Sequence, residues 1–275
     1  MHSVLPHLCK ELPTGRLYYT WFSAMHTRVD FLLWTDEAES FLDGFSDRAY
    51  REILRIETVA NAFDPSSELS LVNQHACEGW ISVSPELYNI LSLAISYNRK
   101  TFGLFDVTSG SVPFDSECIF HVELSNPYQV RFTRPGVQIN LSGFLKGYAL
   151  ECIRSLIRET SIIGALINMG NSSIMGIGSR GEGLPWEVPY DKDGIQKVEL
   201  RDECLTTSGN DTPERRHILN PRTGCLLQGK RSTAVITSDC IEGEILSTAF
   251  FIANTEERRR LMASFDVRQV IDLDK

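Results

Sequence analysis

Hydrophobic residues recur every three or four positions along two stretches of the chain, which is the spacing of an amphipathic helix. The first stretch runs from Asp36 to Phe63, and its inward positions are predicted to be Phe41, Phe45, Ala49, Ile53, Ile56, Ala60 and Phe63. The second begins at Ser84-Pro85-Glu86, where an N-cap serine precedes a proline in the first turn. Two long helices are therefore expected in the first third of the chain.

Shorter apolar segments with β-branched residues predict strands farther along the chain. Leu166–Met169 and Ser173–Ile177 alternate about Gly170-Asn171 as a hairpin, and Val137–Leu141 is predicted as a strand before a helix that Ser142 caps. Other predicted strands are Trp186–Tyr190, Val198–Leu200, Thr233–Thr237 and Arg268–Ile271, with a helix opening at Glu244. The mixed order of helices and hairpins favours an α+β fold with mixed or antiparallel sheets and flanking helices. Without repeats or linkers, we expect one intertwined domain over residues 21–275, preceded by an extension over residues 1–20.

Composition narrows the class of protein. A hydrophobic content of 42% over 275 residues suits a large core, and a formal charge of −9 argues against a nucleic-acid partner. The seven cysteines are scattered without a Cys-x-x-Cys pair, so neither a disulfide framework nor a zinc site is indicated, which fits a reducing compartment. Charged residues and a proline interrupt the first twenty positions, so no signal peptide or membrane span is expected, and a cytoplasmic location is the default.

Two segments carry the candidate chemistry. Arg216–Gly224 is predicted to form a tight turn that carries His217, and Glu244 and Thr248 are one helical turn apart on the same helix face. A carboxylate and a hydroxyl are oxygen ligands of the kind that Mg²⁺ takes, and an imidazole, with an ordinary pKa of ~6.5, can accept a proton near neutral pH. Each segment taken alone also has a plain structural interpretation. His217 would then be a histidine that only makes structural hydrogen bonds, Glu244 a solvated carboxylate in the first turn of its helix, and Thr248 an ordinary interior threonine.

Seven motifs in order resemble the FAD:protein FMN transferases, the ApbE-like family. The motifs are Phe22–Met25 (FSAM), Ser67–Asn73 (SELSLVN), Leu104–Gly110 (LFDVTSG), Leu145–Ala149 (LKGYA), Thr207–Gly209 (TSG), His217–Gly224 (HILNPRTG) and Leu246–Ala249 (LSTA). The resemblance implies a reaction that cleaves the FAD pyrophosphate, joins FMN through its phosphate to a Thr or Ser of a target flavoprotein, and releases AMP. FAD would be the substrate, and Mg²⁺ the metal.

The resemblance also implies roles for particular residues. It makes His217 the proton acceptor. It implies a metal site made by the carbonyl of Gly143 and the side chains of Glu244, Ser247 and Thr248. For the dinucleotide it implies Met25, Phe63, Leu104, Phe105, Asp106, Asn140, Lys146 and Leu219, and Asn73 matches an asparagine linked to metal-dependent use of FAD.

The chain departs from the family pattern at several acidic positions. Glu244 replaces an aspartate, Asn140 and Asn220 replace common aspartates, and Asn171-Ser172 replaces a Gly-Asp pair, so less negative charge is available for Mg²⁺. His26 stands where glycine is usual. Two alternatives therefore stay open: a metal-dependent pyrophosphatase that splits FAD into FMN and AMP, and a non-catalytic FAD-binding protein.

Overall fold

An eight-stranded antiparallel sheet forms the centre of the protein. The computed structural model describes residues 5–190, 194–210, 212 and 217–274. The strands are β1 (His7–Leu12), β2 (Gly15–Ala24), β3 (Thr27–Thr35), β4 (Ile81–Ser82), β5 (Val122–Ser125), β6 (Gln129–Phe132), β7 (Gly164–Met169), β8 (Ser173–Gly178), β9 (Trp186–Pro189), β10 (Lys197–Leu200), β11 (Glu203–Asn210), β12 (Leu219–Asn220), β13 (Cys225–Leu226), β14 (Arg231–Thr237) and β15 (Val267–Asp274). The order in the main sheet is β1-β2-β3-β7-β8-β11-β14-β15, and the remaining strands form three small sheets.

Helices cover one face of this sheet. They are α1 (Glu39–Ala60), α2 (Glu68–His75), α3 (Pro85–Lys100), α4 (Leu145–Arg158), α5 (Cys240–Ile252) and α6 (Thr255–Ser264). Alternate residues of a strand point to opposite faces, so Ala165 and Ile167 of β7 join the core with Ile53 of α1 and Ile153 of α4. We call this side the helix face.

The β9–β10 hairpin covers part of the opposite face, which we call the hairpin face. Ile174 and Leu205 of the main sheet pack in one buried cluster with Trp186, Val188 and Leu200 of the hairpin. Each sheet face thus has its own apolar core, and the same strands contribute alternate residues to both.

Close packing joins α4 to α5. A Cβ on Gly147 would lie 2.3 Å from the Cys240 carbonyl oxygen and 2.8 Å from Cγ of Glu244, so only glycine fits there. The Cys240 amide donates to Oε1 of Glu151 at 2.7 Å. Cys240 also forms a disulfide with Cys204 of β11, which the spacing of the cysteines did not predict.

The structure confirms the α+β class, both long helices, the β7–β8 hairpin and the strands predicted after it. The first helix is shorter than predicted, because α1 runs from Glu39 to Ala60 and Phe63 lies beyond its end. Phe41 and Phe63 were predicted to face inward, but they are 38% and 67% exposed. β2 crosses the predicted boundary at residue 20, and β1 pairs with it in the main sheet. No helix in the described ranges is long and apolar enough to cross a membrane.

Three local predictions are wrong. Val137–Leu141 does not form a strand. The Asn73 side chain bonds to the backbone N–H and C=O of Ile139, and the Asn140 amide donates to the Val107 carbonyl, so no neighbouring strand pairs there. Ser142 does not cap α4, which begins at Leu145 with no side-chain cap. Helix α5 begins at Cys240 and is capped by Asp239, so Glu244 lies in its second turn and not at its opening.

Candidate active site

A cavity of about 1130 Å³ lies at one end of the main sheet. The tip of the β2–β3 hairpin, the turn between β7 and β8, and the end of β11 meet there, and α4 and α5 wall it on the helix face. The cavity continues round the end of the sheet to the hairpin face, where Val188 and Tyr190 line it. It therefore touches both faces of one sheet.

The β2–β3 hairpin turns through two residues with left-handed backbone conformations. Met25 has φ 50° and His26 has φ 56°, and both line the cavity. Such conformations are costly for residues other than glycine and persist where surrounding contacts hold them. One such contact is the hydrogen bond from the Met25 amide to Oε1 of Glu57 at 2.7 Å.

A chain of polar contacts runs along the helix face from α4 to α5. Nζ of Lys146 donates to the Ser172 hydroxyl, which lies 3.4 Å from the hydroxyl of Ser173. Ser173 in turn donates to Oε1 of Glu244. Ser172 ends the β7–β8 turn and Ser173 begins β8. Neither was predicted as a site residue, although Asn171-Ser172 is a departure from the family pattern.

A second set of hydroxyls joins α5 to β11. Oγ of Ser208 lies 2.8 Å from Oγ of Ser247 and 3.0 Å from Oγ1 of Thr248. Ser247 is fully buried and does not line the cavity, whereas Thr248 and Ser208 do. Ser208 belongs to the Thr-Ser-Gly motif but was also missed as a site residue, because the family resemblance was not used to give it a role.

Oxygen groups of the kinds that a hard divalent cation binds line this wall. Glu244, Thr248 and Gly143 line the cavity together, and carboxylate, hydroxyl and carbonyl oxygens are the ligands that Mg²⁺ and Ca²⁺ take. Glu244 is only 5% exposed, and its carboxylate accepts a hydrogen bond from the hydroxyl of Ser173. A cation bound beside this carboxylate would compensate its buried negative charge.

The residues predicted for the dinucleotide are not all in one place. Met25, Leu104, Phe105, Asp106, Asn140, Lys146 and Leu219 line the large cavity. Phe63 lines an adjoining recess of about 90 Å³, which shares Met25, Asn140 and Lys146 with it. Asn73 lines neither, because its amide group bonds to the backbone N–H and C=O of Ile139.

Two further side chains complete the wall. Asp106 accepts from the amide and hydroxyl of Thr108 at 2.7 and 2.6 Å. Burial raises the pKa of the Asp106 carboxyl above its ordinary value, and the two bonds from Thr108 oppose that rise.

His217 is exposed and lines the cavity next to the buried Ile218. The predicted turn begins one residue earlier, at Arg216, which lies outside the described residues.

The chain belongs to the ApbE family, whose sequence profile matches residues 25–113 and 116–271. A Klebsiella pneumoniae (strain 342) protein named FAD:protein FMN transferase is 22% identical over 245 residues, which cover 78% of this chain and 77% of that protein. One of the same name from Chlamydia pneumoniae is 25% identical over 229 residues, or 70% and 71% of the two chains. The solved flavin transferase ApbE from Vibrio cholerae shares the fold, with a TM-score of 0.78, 20% identity and coverage of 98% and 94%. The family prediction is therefore confirmed.

Proposed function

We propose that this protein is a Mg²⁺-dependent FAD:protein FMN transferase. The observation that carries the proposal is the meeting of His217, Lys146, Glu244 and Thr248 in one cavity, although they come from separate parts of the chain. Membership of the ApbE family and the names of the relatives support the same reaction.

The reaction is a phosphoryl transfer to a protein hydroxyl. Oγ of an acceptor Thr or Ser attacks the FMN phosphorus of FAD, and an O–P bond forms. The bond from that phosphorus to the bridging oxygen breaks, and AMP leaves with the electron pair. His217 takes the hydroxyl proton, a role that suits an imidazole near neutral pH.

The pyrophosphate would lie against the start of α4. The first amides of a helix have no intrahelical partner and the helix dipole favours negative charge there. Lys146, in the first turn of α4, adds a full positive charge on the cavity wall. These groups would hold the substrate's phosphates and orient the phosphorus.

The metal would be held by Glu244, Thr248 and the carbonyl of Gly143. Ser247, which the family resemblance also implies as a ligand, is buried away from the cavity lining and donates to the Glu244 carbonyl at 3.0 Å. Bound there, Mg²⁺ would neutralise charge on the pyrophosphate and on the leaving phosphate. Ser173 would keep the Glu244 carboxylate turned toward the cavity through its hydrogen bond.

The test is incubation with FAD, Mg²⁺ and candidate flavoproteins, read by the mass of the acceptor protein and by AMP release. We expect an acceptor that gains one FMN for each AMP released, and no reaction when Mg²⁺ is chelated. AMP release without a labelled protein would identify a pyrophosphatase. Tight FAD retention with no AMP at all would identify a binding protein.

A further inference from the structure

The turn between β2 and β3 contains residues that suit its backbone poorly. Ala24 pairs with Thr27, which leaves a loop of two residues. These are Met25 and His26, and φ is positive at both. Two positive φ values are the pattern of a type I′ turn, for which hairpins favour Asn-Gly, Asp-Gly or Gly-Gly because most side chains disfavour that conformation. A methionine followed by a histidine therefore strains this turn.

The turn between β7 and β8 lines the same cavity but has a different composition. Its left-handed residues are Gly170 and Asn171, with φ 68° and 61°. Glycine and asparagine are the residues that take this conformation most easily. At one cavity, then, one turn uses the favoured residues and the other carries two large side chains on a strained backbone. Such strain is concentrated at ligand-binding sites, so the side chains of the β2–β3 turn are candidates for contact with a ligand.

His26 lies where the large cavity meets the adjoining recess, and it lines both. Its ring contacts the ring of Phe63 edge-on, with the two centroids 6.5 Å apart and an interplanar angle of 85°. Phe63 is nevertheless 67% exposed, so much of its ring remains open to a ligand. Two perpendicular rings present a face and an edge, and a third planar ring can stack on the one and meet the other edge-on.

The end of α1 fixes the positions of both rings. Oε1 of Glu57 accepts a hydrogen bond from the Met25 amide at 2.7 Å, which holds the turn that carries His26. Oδ1 of Asn61, the residue after α1, accepts a hydrogen bond from the Phe63 amide at 3.0 Å. Glu57 and Asn61 are one helical turn apart, and both line the recess. The two rings come from different segments, but one helix end sets the distance between them.

A dinucleotide whose phosphates lie at the start of α4 can reach His26. Lys146, proposed above to hold the pyrophosphate, lines both the cavity and the recess, as His26 does. The two ring systems of FAD are joined through the pyrophosphate, so they extend from it in two directions. One ring can therefore lie at the opening of the recess while the other stays in the large cavity.

We propose that His26 is a specificity-determining residue for FAD. Its imidazole, together with Phe63, contacts one planar ring system of the bound dinucleotide at the opening between the cavity and the recess. This contact accounts for a turn sequence that the backbone disfavours. The inference rests on the proposed transferase function and adds a residue to the recognition of its substrate. The isoalloxazine and adenine rings are both planar and heteroaromatic, and the experiment distinguishes them.

The first test is His26→Gly, which removes the ring and gives the turn a favoured residue. Calorimetry at a fixed Mg²⁺ concentration measures the affinity for FAD, for FMN and for AMP. We expect FAD affinity to fall about three- to tenfold, the size of one aromatic contact. The loss should recur with FMN if the isoalloxazine ring lies against His26, or with AMP if the adenine ring does. The unfolding temperature should be unchanged or about 2–4 °C higher, because a glycine takes the left-handed conformation without strain.

Two matched variants separate ligand binding from folding. His26→Phe keeps a planar ring in the turn and should retain most of the FAD affinity. Tyr128→Gly is the control, because Tyr128 is also an aromatic residue with a positive φ, 49°, in the hairpin turn between β5 and β6. It lines neither the cavity nor the recess, so its replacement should leave FAD affinity unchanged.

Several results would overturn the inference and leave the transferase function standing. They are equal FAD affinity in His26→Gly and the wild type, a loss accompanied by a lower unfolding temperature, and a similar loss in Tyr128→Gly. Equal weakening of FMN and AMP would also overturn it, since one ring contact involves only one half of the dinucleotide. A wild-type protein that does not bind FAD would instead overturn the transferase function, and the role of His26 with it.

Discussion

The two sides of the cavity differ in composition although the same strands build both. On the helix face, hydroxyls and one carboxylate bond to one another from Lys146 to Glu244 and from Ser208 to Thr248. On the hairpin face, Leu166, Ile174 and Leu205 provide an apolar wall. Because neighbouring residues of a strand point in opposite directions, a single sheet can present polar groups to one side of a cavity and apolar side chains to the other.

The largest effect is expected at His217, which lies where the cavity is open. His217→Ala should reduce transfer by about 10²–10⁴-fold, because the acceptor hydroxyl loses its proton acceptor, while FAD binding stays largely intact. Rates of AMP release and FAD titration by fluorescence check the two parts. Transfer at the wild-type rate would remove His217 from the mechanism.

The next effect concerns the helix face alone. Glu244→Ala should lower transfer by roughly 100-fold or more and weaken Mg²⁺ binding measured by calorimetry with FAD present, because the wall loses its carboxylate. Glu244→Asp keeps the charge and should retain much of the binding. Mg²⁺ affinity that is the same in both variants and the wild type would place the metal elsewhere.

A smaller effect on Mg²⁺ affinity is expected at Ser173, which contacts the Glu244 carboxylate. Ser173→Ala removes the hydrogen bond to the Glu244 carboxylate and should cost about tenfold in Mg²⁺ affinity, as the loss of an outer partner of a ligand commonly does. Ser155→Ala is the control, since that exposed serine on α4 bonds to the Glu151 carbonyl. A similar loss in both variants would mean a general effect on folding.

The packing of α4 against α5 gives a prediction on stability. Gly147→Ala should destabilise the protein by about 1–3 kcal/mol, because the new methyl group would meet the Cys240 carbonyl oxygen. Gly44→Ala, in α1, meets nothing within 4 Å and should stabilise by about 0.5–1 kcal/mol. Chemical denaturation of the two variants measures both signs, and equal shifts would mean that α4 and α5 are not in close contact.

The smallest effect is a change in pH dependence at Asp106. Its raised pKa means that the folded protein binds more protons than the unfolded chain at pH values just above the ordinary 3.8. The free energy of unfolding should therefore fall as the pH rises through that window, and Asp106→Asn should lack this fall. Asp64→Asn is the opposite control, because hydrogen bonds from Ser66 lower the pKa of Asp64. Parallel stability curves for wild type and Asp106→Asn would contradict the expectation.

Sequence reasoning worked where one local pattern decides the structure. The β7–β8 hairpin follows from alternation around Gly170-Asn171, and α3 follows from its serine cap and proline. It failed where distant segments supply the partner. Val137–Leu141 has the composition of a strand, but the side chain of Asn73 occupies its backbone groups.

The candidate site shows the same limit. Family motifs identified His217, Lys146, Glu244 and Thr248, which the fold brings into one cavity. Ser172, Ser173 and Ser208 could not be singled out, because a serine hydroxyl becomes part of a site only through what the folded chain places beside it. The disulfide joins cysteines 36 residues apart, and no local pattern connects them.

The unbroken passage of the cavity round the end of the sheet has a kinetic consequence. If FAD and the acceptor hydroxyl occupy this continuous cavity at the same time, cleavage of FAD does not have to finish before the acceptor binds. Initial rates measured at several fixed concentrations of FAD should then give double-reciprocal lines that intersect, whereas parallel lines would indicate a covalent flavinyl-enzyme intermediate.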